Sequence, residues 1–201
     1  VQLFDYDIPL EPKHSIKPLI VISILFIAFF TASADNWSII NPSLHHDDYF
    51  RLLSGNFFHS NISHLLLNTG GLLLIWLFHA EHYSWRSYFS VLLLCCIGSS
   101  LAAFSLTESG SIIGLSGALH GMLIYGAIRD IIEKAYRQVG LIMLVAIVAK
   151  VIAENTIGLG SLSADLIGMR VAVEAHFFGS LSGIILGLAS LKLVTKTTNT
   201  E

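Results

Sequence analysis

Residues Gly114-Leu115-Ser116-Gly117-Ala118-Leu119-His120-Gly121 open an apolar segment in a chain of 201 residues. A serine between glycines at the start of a hydrophobic helix has what a nucleophile needs. The backbone lies close to it, and no neighbouring side chain stands over the hydroxyl. The first candidate is therefore a serine hydrolase that works within a membrane.

Composition sets the solvent. Mean hydropathy is +0.71, with 54% hydrophobic and only 12% charged residues, too apolar a surface for a water-soluble domain. A bilayer crossing needs about 20 mostly apolar residues. Counting such runs between polar breaks predicts an all-α membrane protein, residues 1–201 as one integral-membrane domain. Its six crossings are expected near 18–34, 62–80, 88–106, 112–128, 139–156 and 171–193. The fourth reaches spanning length only if Ile112 and Ile113 join it, and the fifth carries Lys150 and Glu154.

Lys and Arg gather on the cytoplasmic side of membrane proteins. With Lys13 and Lys17 there, six crossings put Arg86, Arg129, Lys134, Arg137, Lys192 and Lys196 on the same side and leave chiefly Arg51 and Arg170 outside. Both termini are then cytoplasmic. Asp35, Asp47, Asp48 and the turn Thr107-Glu108-Ser109 face outward, so Ser116 sits just below the outer surface. The first apolar run follows Pro9, Pro12 and Pro18 without a small-residue cleavage site, which predicts a retained helix rather than an export signal.

Two further constellations bring polar groups into lipid. His64 and Asn68 are four residues apart, on one helix face, and His59 precedes them. Such groups are expensive to leave unpaired in a membrane and must face protein or a water pocket. There they either tie helices together or donate to an oxygen that turns negative when a carbonyl is attacked. In Glu174-Ala175-His176-Phe177-Phe178-Gly179, continued by Gly183 and Gly187, glycines at four-residue spacing cut a groove for another helix backbone. If that groove receives Gly117 and Gly121, the His176 imidazole reaches Ser116, and its ordinary pKa suits proton transfer near neutrality. A serine and histidine so paired can work without a third, acidic member.

These three motifs, Gly114-x-Ser116-Gly117, the His59, His64 and Asn68 pattern, and Ala175-His176-x-x-Gly179-x-x-x-Gly183, together resemble the rhomboid intramembrane serine proteases. Phe50-Arg51 stands where many rhomboids carry Trp-Arg. The likeness spans roughly Asp48 to Gly187 and implies a six-helix rhomboid-like bundle. Ser116 would be the nucleophile and His176 the general base. His64, Asn68 and the Ser116 N–H, beside Gly114, would form the oxyanion site. The GLSGALHG form, the compact chain and Glu174 two residues before His176 look like the rhombosortase subgroup. That narrower resemblance implies a bacterial inner-membrane enzyme cutting C-terminal Gly-Gly-type anchors of exported proteins outside the membrane. Water and an amine both stay open as the final acceptor, as does the cutting of other transmembrane substrates.

His120, four residues after Ser116, either supports His176 or rivals it as base; support is preferred, because an intrahelical imidazole points back along its own helix. Lys150 and Glu154 are expected to neutralise each other or face a polar cavity, with a direct substrate role less favoured, and Glu174 to pair with Lys150, Arg170 or a substrate amine. His45-His46-Asp47-Asp48 has metal-ligand residue types without a spacing that closes a coordination shell. His14, His79 and His82 lie near membrane boundaries and need no catalytic role. Adjacent Cys95 and Cys96 would strain a mutual disulfide. No cofactor or metal is implied, and a net charge of −3 gives no reason to expect nucleic acid. The expected partners are lipid and membrane-anchored proteins with a C-terminal transmembrane helix. Outside the enzymes, a rhomboid-like protein that holds membrane helices without cutting them, or a small transporter, would have to account for an intact Ser116 and His176.

Overall fold

The computed structural model describes residues 9–33, 39–40, 49–104, 111–132, 136–158 and 160–198. Asp35, the His45 to Asp48 run, Thr107 to Ser109 and Lys134 lie outside the described residues, as do the side chains of Lys192 and Lys196. The chain forms eight α-helices among those residues: α1 Pro12–Thr31, α2 Arg51–Ser54, α3 Ile62–His79, α4 Trp85–Ser100, α5 Ser116–Ile132, α6 Arg137–Thr156, α7 Gly160–Ile167 and α8 Val173–Thr198. One small antiparallel pair, β1 Ile39–Ile40 and β2 Ser111–Ile112, joins two connections.

Among the described residues, four helices are long and apolar enough to cross a membrane, Pro12–Thr31, Ile62–His82, Arg137–Thr156 and Val173–Leu191. The chain is an integral membrane protein. The helices α4 and α5, at 16 and 17 residues, are shorter than about the 20 that a full crossing takes. Large apolar side chains on α1, α3 and α6, such as Ile24, Ile27, Leu66, Leu74, Ile142 and Val145, point outward, as they would against acyl chains.

Burial is greatest on α5, which is enclosed by α3, α4, α6 and α8 and packs most extensively on α8. Small residues make this possible. Gly117, Ala118, Gly121, Gly126 and Ala127 are buried among Leu119, Met122, Ile124 and Tyr125. A Cβ on Gly179 would overlap the Gly117 carbonyl, and one on Gly183 would overlap that of Gly121, so the backbones of α5 and α8 touch directly.

Several boundaries differ from those expected. The first helix starts at Pro12 rather than residue 18, because a proline at the first helical position gives up an N–H that would be unpaired anyway. The buried ammonium of Lys17 donates to the Tyr83 carbonyl and His14 Nδ1 lies 3.1 Å from the Ala80 carbonyl, tying this end of α1 to the connection after α3. The segment expected from 88 begins at Trp85, where Ser84 Oγ caps the helix by accepting from the Ser87 N–H, and its regular helix ends at Ser100 in a 3-10 turn, Leu101–Phe104. The segment expected over 112–128 runs from Ser116 to Ile132. Ile112 is pulled out by pairing with Ile39, and Gly114 takes φ +101°, a conformation open to glycine that ends any helix running through it. The last helix begins at Val173, two residues late.

Candidate active site

Three helix starts converge at one end of the bundle. Ser116 is the first residue of α5, His64 lies in the first turn of α3, and His176 lies in the first turn of α8. The other direction of travel, down α6, brings Lys150 and Glu154 to the same level. Ser116, His64, His176 and Lys150, together with Asn68, one turn further along α3, line a cavity of about 270 Å³ whose remaining wall is mostly apolar, including Leu67, Ile147 and Met169; Glu154 is buried behind His176.

Ser116 Oγ lies 2.9 Å from His176 Nε2. On the far side of the ring, His176 Nδ1 lies 2.8 Å from Glu154 Oε2, and both residues are buried. The other carboxylate oxygen, Glu154 Oε1, accepts from Lys150 Nζ. Lys150 Nζ is also 3.0 Å from His120 Nε2, and His120 Nδ1 is 2.7 Å from the Ser116 carbonyl oxygen. The His120 and His176 rings stack, with centroids 4.2 Å apart and planes 18° from parallel. A serine hydroxyl beside an imidazole nitrogen, with a carboxylate behind the ring, is an arrangement suited to nucleophilic attack assisted by a general base.

The opposite wall supplies donors. A Cβ on Gly114 would overlap His64 Nε2 and stand 3.3 Å from Asn68 Nδ2, so the imidazole and the amide both press on the backbone just before Ser116. His64 is held by its own N–H to the Asn61 side chain at 2.9 Å and by Ser60 Oγ, 3.3 Å from its Nδ1. The Asn68 amide donates to His59 Nε2 at 2.8 Å and keeps a second N–H. His59 packs edge-on against His64 and sits in the connection before α3, where burial, with His64 beside it, pushes its imidazole down to about 3. It is therefore neutral, as an acceptor must be.

The expected residues thus separate into groups. Ser116, His176, His64, Asn68, Gly114 and His120 meet at the cavity, and His59 stands behind Asn68. Glu174 does not point into it; its carboxylate is 3.2 Å from Arg170 Nη2, one turn back. Glu154 is the residue whose part the sequence understated. The pairing with Lys150 is present, but the second oxygen faces His176 across to α8, so the serine and histidine have an acidic neighbour that the sequence reading did not require.

Two groups among the described residues offer metal-type ligands close together. In His120, Glu154 and His176, the Lys150 ammonium already stands between the carboxylate and His120, where a cation would sit. In His79, His82 and Asp130, at the far ends of α3 and α5, the two imidazoles each face one oxygen of the buried carboxylate, with His79 Nδ1 at 3.1 Å. Within that cluster His82 Nε2 hydrogen-bonds Asp130 Oδ1, while His79 Nδ1, His79 Nε2 and Asp130 Oδ2 have no hydrogen-bond partner among the described residues; the sequence had treated both histidines as boundary residues.

No curated protein matches this chain. A family model, the Rhomboid domain, matches residues 46–193, which hold every cavity residue described above. The chain belongs to the rhomboid family, whose members are generally intramembrane serine proteases.

Proposed function

We propose that this protein is an intramembrane serine endopeptidase acting through Ser116 and His176. The observation that carries the reading is the 2.9 Å approach of Ser116 Oγ to His176 Nε2 at the wall of the cavity. In the first step the Ser116 oxygen bonds to the substrate carbonyl carbon, its proton passes to His176 Nε2, and the carbonyl electrons move onto oxygen. His64, the free N–H of Asn68 and the N–H at the start of α5 face that oxygen, aided by the positive end of the helix. The carbon–nitrogen bond then breaks, with the proton returned to the departing amine. In the second step water, or an amine, gives a proton to His176 and attacks the acyl group, and Ser116 leaves with that proton.

Six crossings follow if α4 and α5 are counted with the four long helices. The helix α5 is enclosed by protein on several sides, so its length need not match the hydrocarbon. With the start of α1 and the α3–α4 connection on the cytoplasmic side, both termini are cytoplasmic and the cavity opens outward. The narrower assignment is a rhombosortase-type enzyme of the bacterial inner membrane that cuts C-terminal Gly-Gly-type anchors. The mostly apolar wall beside Ser116 suits a transmembrane segment, and glycines in that segment would free its carbonyls for attack. Mass spectrometry of the C-termini of exported proteins tests this. Cells with the wild-type protein should yield termini near Gly-Gly that disappear with Ser116→Ala; identical termini in both would refute the assignment.

A further inference from the structure

We propose that Glu154, anchored by Lys150, is a positioning residue for His176, so that Ser116, His176 and Glu154 act as one unit. The inference rests on the protease reading above and adds a residue to it. What supports it is a closed ring of contacts, from Ser116 Oγ to His176, Glu154, Lys150 and His120, and back to the Ser116 carbonyl.

The ring has a single consistent set of protons. A main-chain carbonyl only accepts, so His120 Nδ1 carries the proton that it donates to Ser116 O. An ammonium only donates, so His120 Nε2 is bare towards Lys150. The Glu154 carboxylate accepts at both oxygens, from Lys150 at one and from the Nδ1–H of His176 at the other. His176 Nε2 is left bare and faces the Ser116 hydroxyl, as a base must. The same logic removes His120 as a rival, because its lone pair is spent on Lys150. It stacks on His176 instead and limits rotation of that ring.

Charge points the same way. When His176 takes the serine proton, a cation forms in a buried place, and a carboxylate 2.8 Å from its other nitrogen stabilises it at that moment. In the resting state Lys150 neutralises the same carboxylate. The charged and titratable groups around His176 are His64 on α3, His120 on α5, Lys150 and Glu154 on α6, and the Arg170 and Glu174 pair at its own end of α8.

The test uses a fluorophosphonate probe on the full-length protein in proteoliposomes, so no natural substrate is needed. Saturation kinetics separate probe affinity, KI, from the rate of Ser116 phosphonylation, kinact. Glu154→Gln should lower kinact on the order of 1,000-fold with KI unchanged, and Glu154→Asp should recover part of the loss. Lys150→Met should lower kinact about 10-fold alone but less than about 2-fold on the Glu154→Gln background, because both act through one ring. A Glu154→Gln rate within about 3-fold of wild type, or a loss that falls entirely on KI, would overturn the proposal. If Glu154→Gln does not fold, Glu154→Asp decides, since a shortened carboxylate that leaves kinact unchanged also overturns it. Wild-type protein that takes no label at Ser116 overturns the protease reading and this inference with it; labelled wild type with an indifferent Glu154 overturns only the latter.

Discussion

Gly179 on α8 lies directly against the main-chain carbonyl of Gly117 on α5, with no room for a side chain between them. His176 is three residues before Gly179 and Ser116 is one residue before Gly117, so this backbone contact sets how far the imidazole stands from the hydroxyl. Gly179→Ala and Gly183→Ala should therefore push α8 away from α5. The expected cost is about 1–3 kcal/mol of stability, read as a lower thermal unfolding midpoint, together with slower labelling of Ser116. Unchanged labelling would mean that the two helices approach differently.

Gly114→Ala perturbs the oxyanion wall. The position has φ +101°, and its Cβ would overlap His64 Nε2. Losing a donor to the developing negative charge costs about 100–1,000-fold in turnover, and the same range is expected for Asn68→Ala. Gly114→Ala should also lower the unfolding midpoint, because an L side chain is strained at that φ, so Asn68→Ala is the cleaner test: its activity should fall further than its folding does in a parallel melt and labelling assay.

His120 and His176 differ in what they can do for Ser116. His176→Ala should abolish labelling, whereas His120→Ala should reduce it and His120→Phe, which keeps a ring on the His176 face, should recover part of that loss. Activity that survives without His176 but not without His120 would reverse the assignment.

Asp130 is fully buried at the other end of the bundle between His79 and His82. Asp130→Asn leaves those imidazoles without an anionic partner, and removing one member of a buried charged cluster costs about 3–5 kcal/mol. The unfolding midpoint should drop sharply, while the folded fraction should still label at Ser116.

Acidification acts through His59. The folded protein refuses a proton there until about pH 3, while the unfolded chain accepts one near the ordinary value of 6.5. Its contribution to stability is therefore complete above about 6.5 and is lost progressively as pH falls from there towards 3. The unfolding midpoint should decline between pH 7 and pH 4, and His59→Gln should flatten that decline.

The motifs that were legible in the sequence are those written in local spacing. His64 and Asn68 share a face because they are four apart, and Gly179 and Gly183 declare a groove for the same reason. What spacing could not reveal depends on partners far along the chain. The start of α5 is set by Ile112 pairing with Ile39, some seventy residues earlier. Glu154 read as the partner of Lys150, its neighbour on the helix, because the contact with His176 exists only once α6 is packed against α8. His79 and His82 looked like boundary residues until Asp130 was brought between them from α5.

The central claim is that Ser116 is a nucleophile activated by His176. Intact-protein and peptide mass spectrometry after fluorophosphonate treatment of wild-type, Ser116→Ala and His176→Ala proteins measures it directly. One phosphonyl adduct on Ser116 in the wild type, absent from both variants, is the expected result. An adduct on another residue, or equal labelling of Ser116 when His176 is gone, would contradict it.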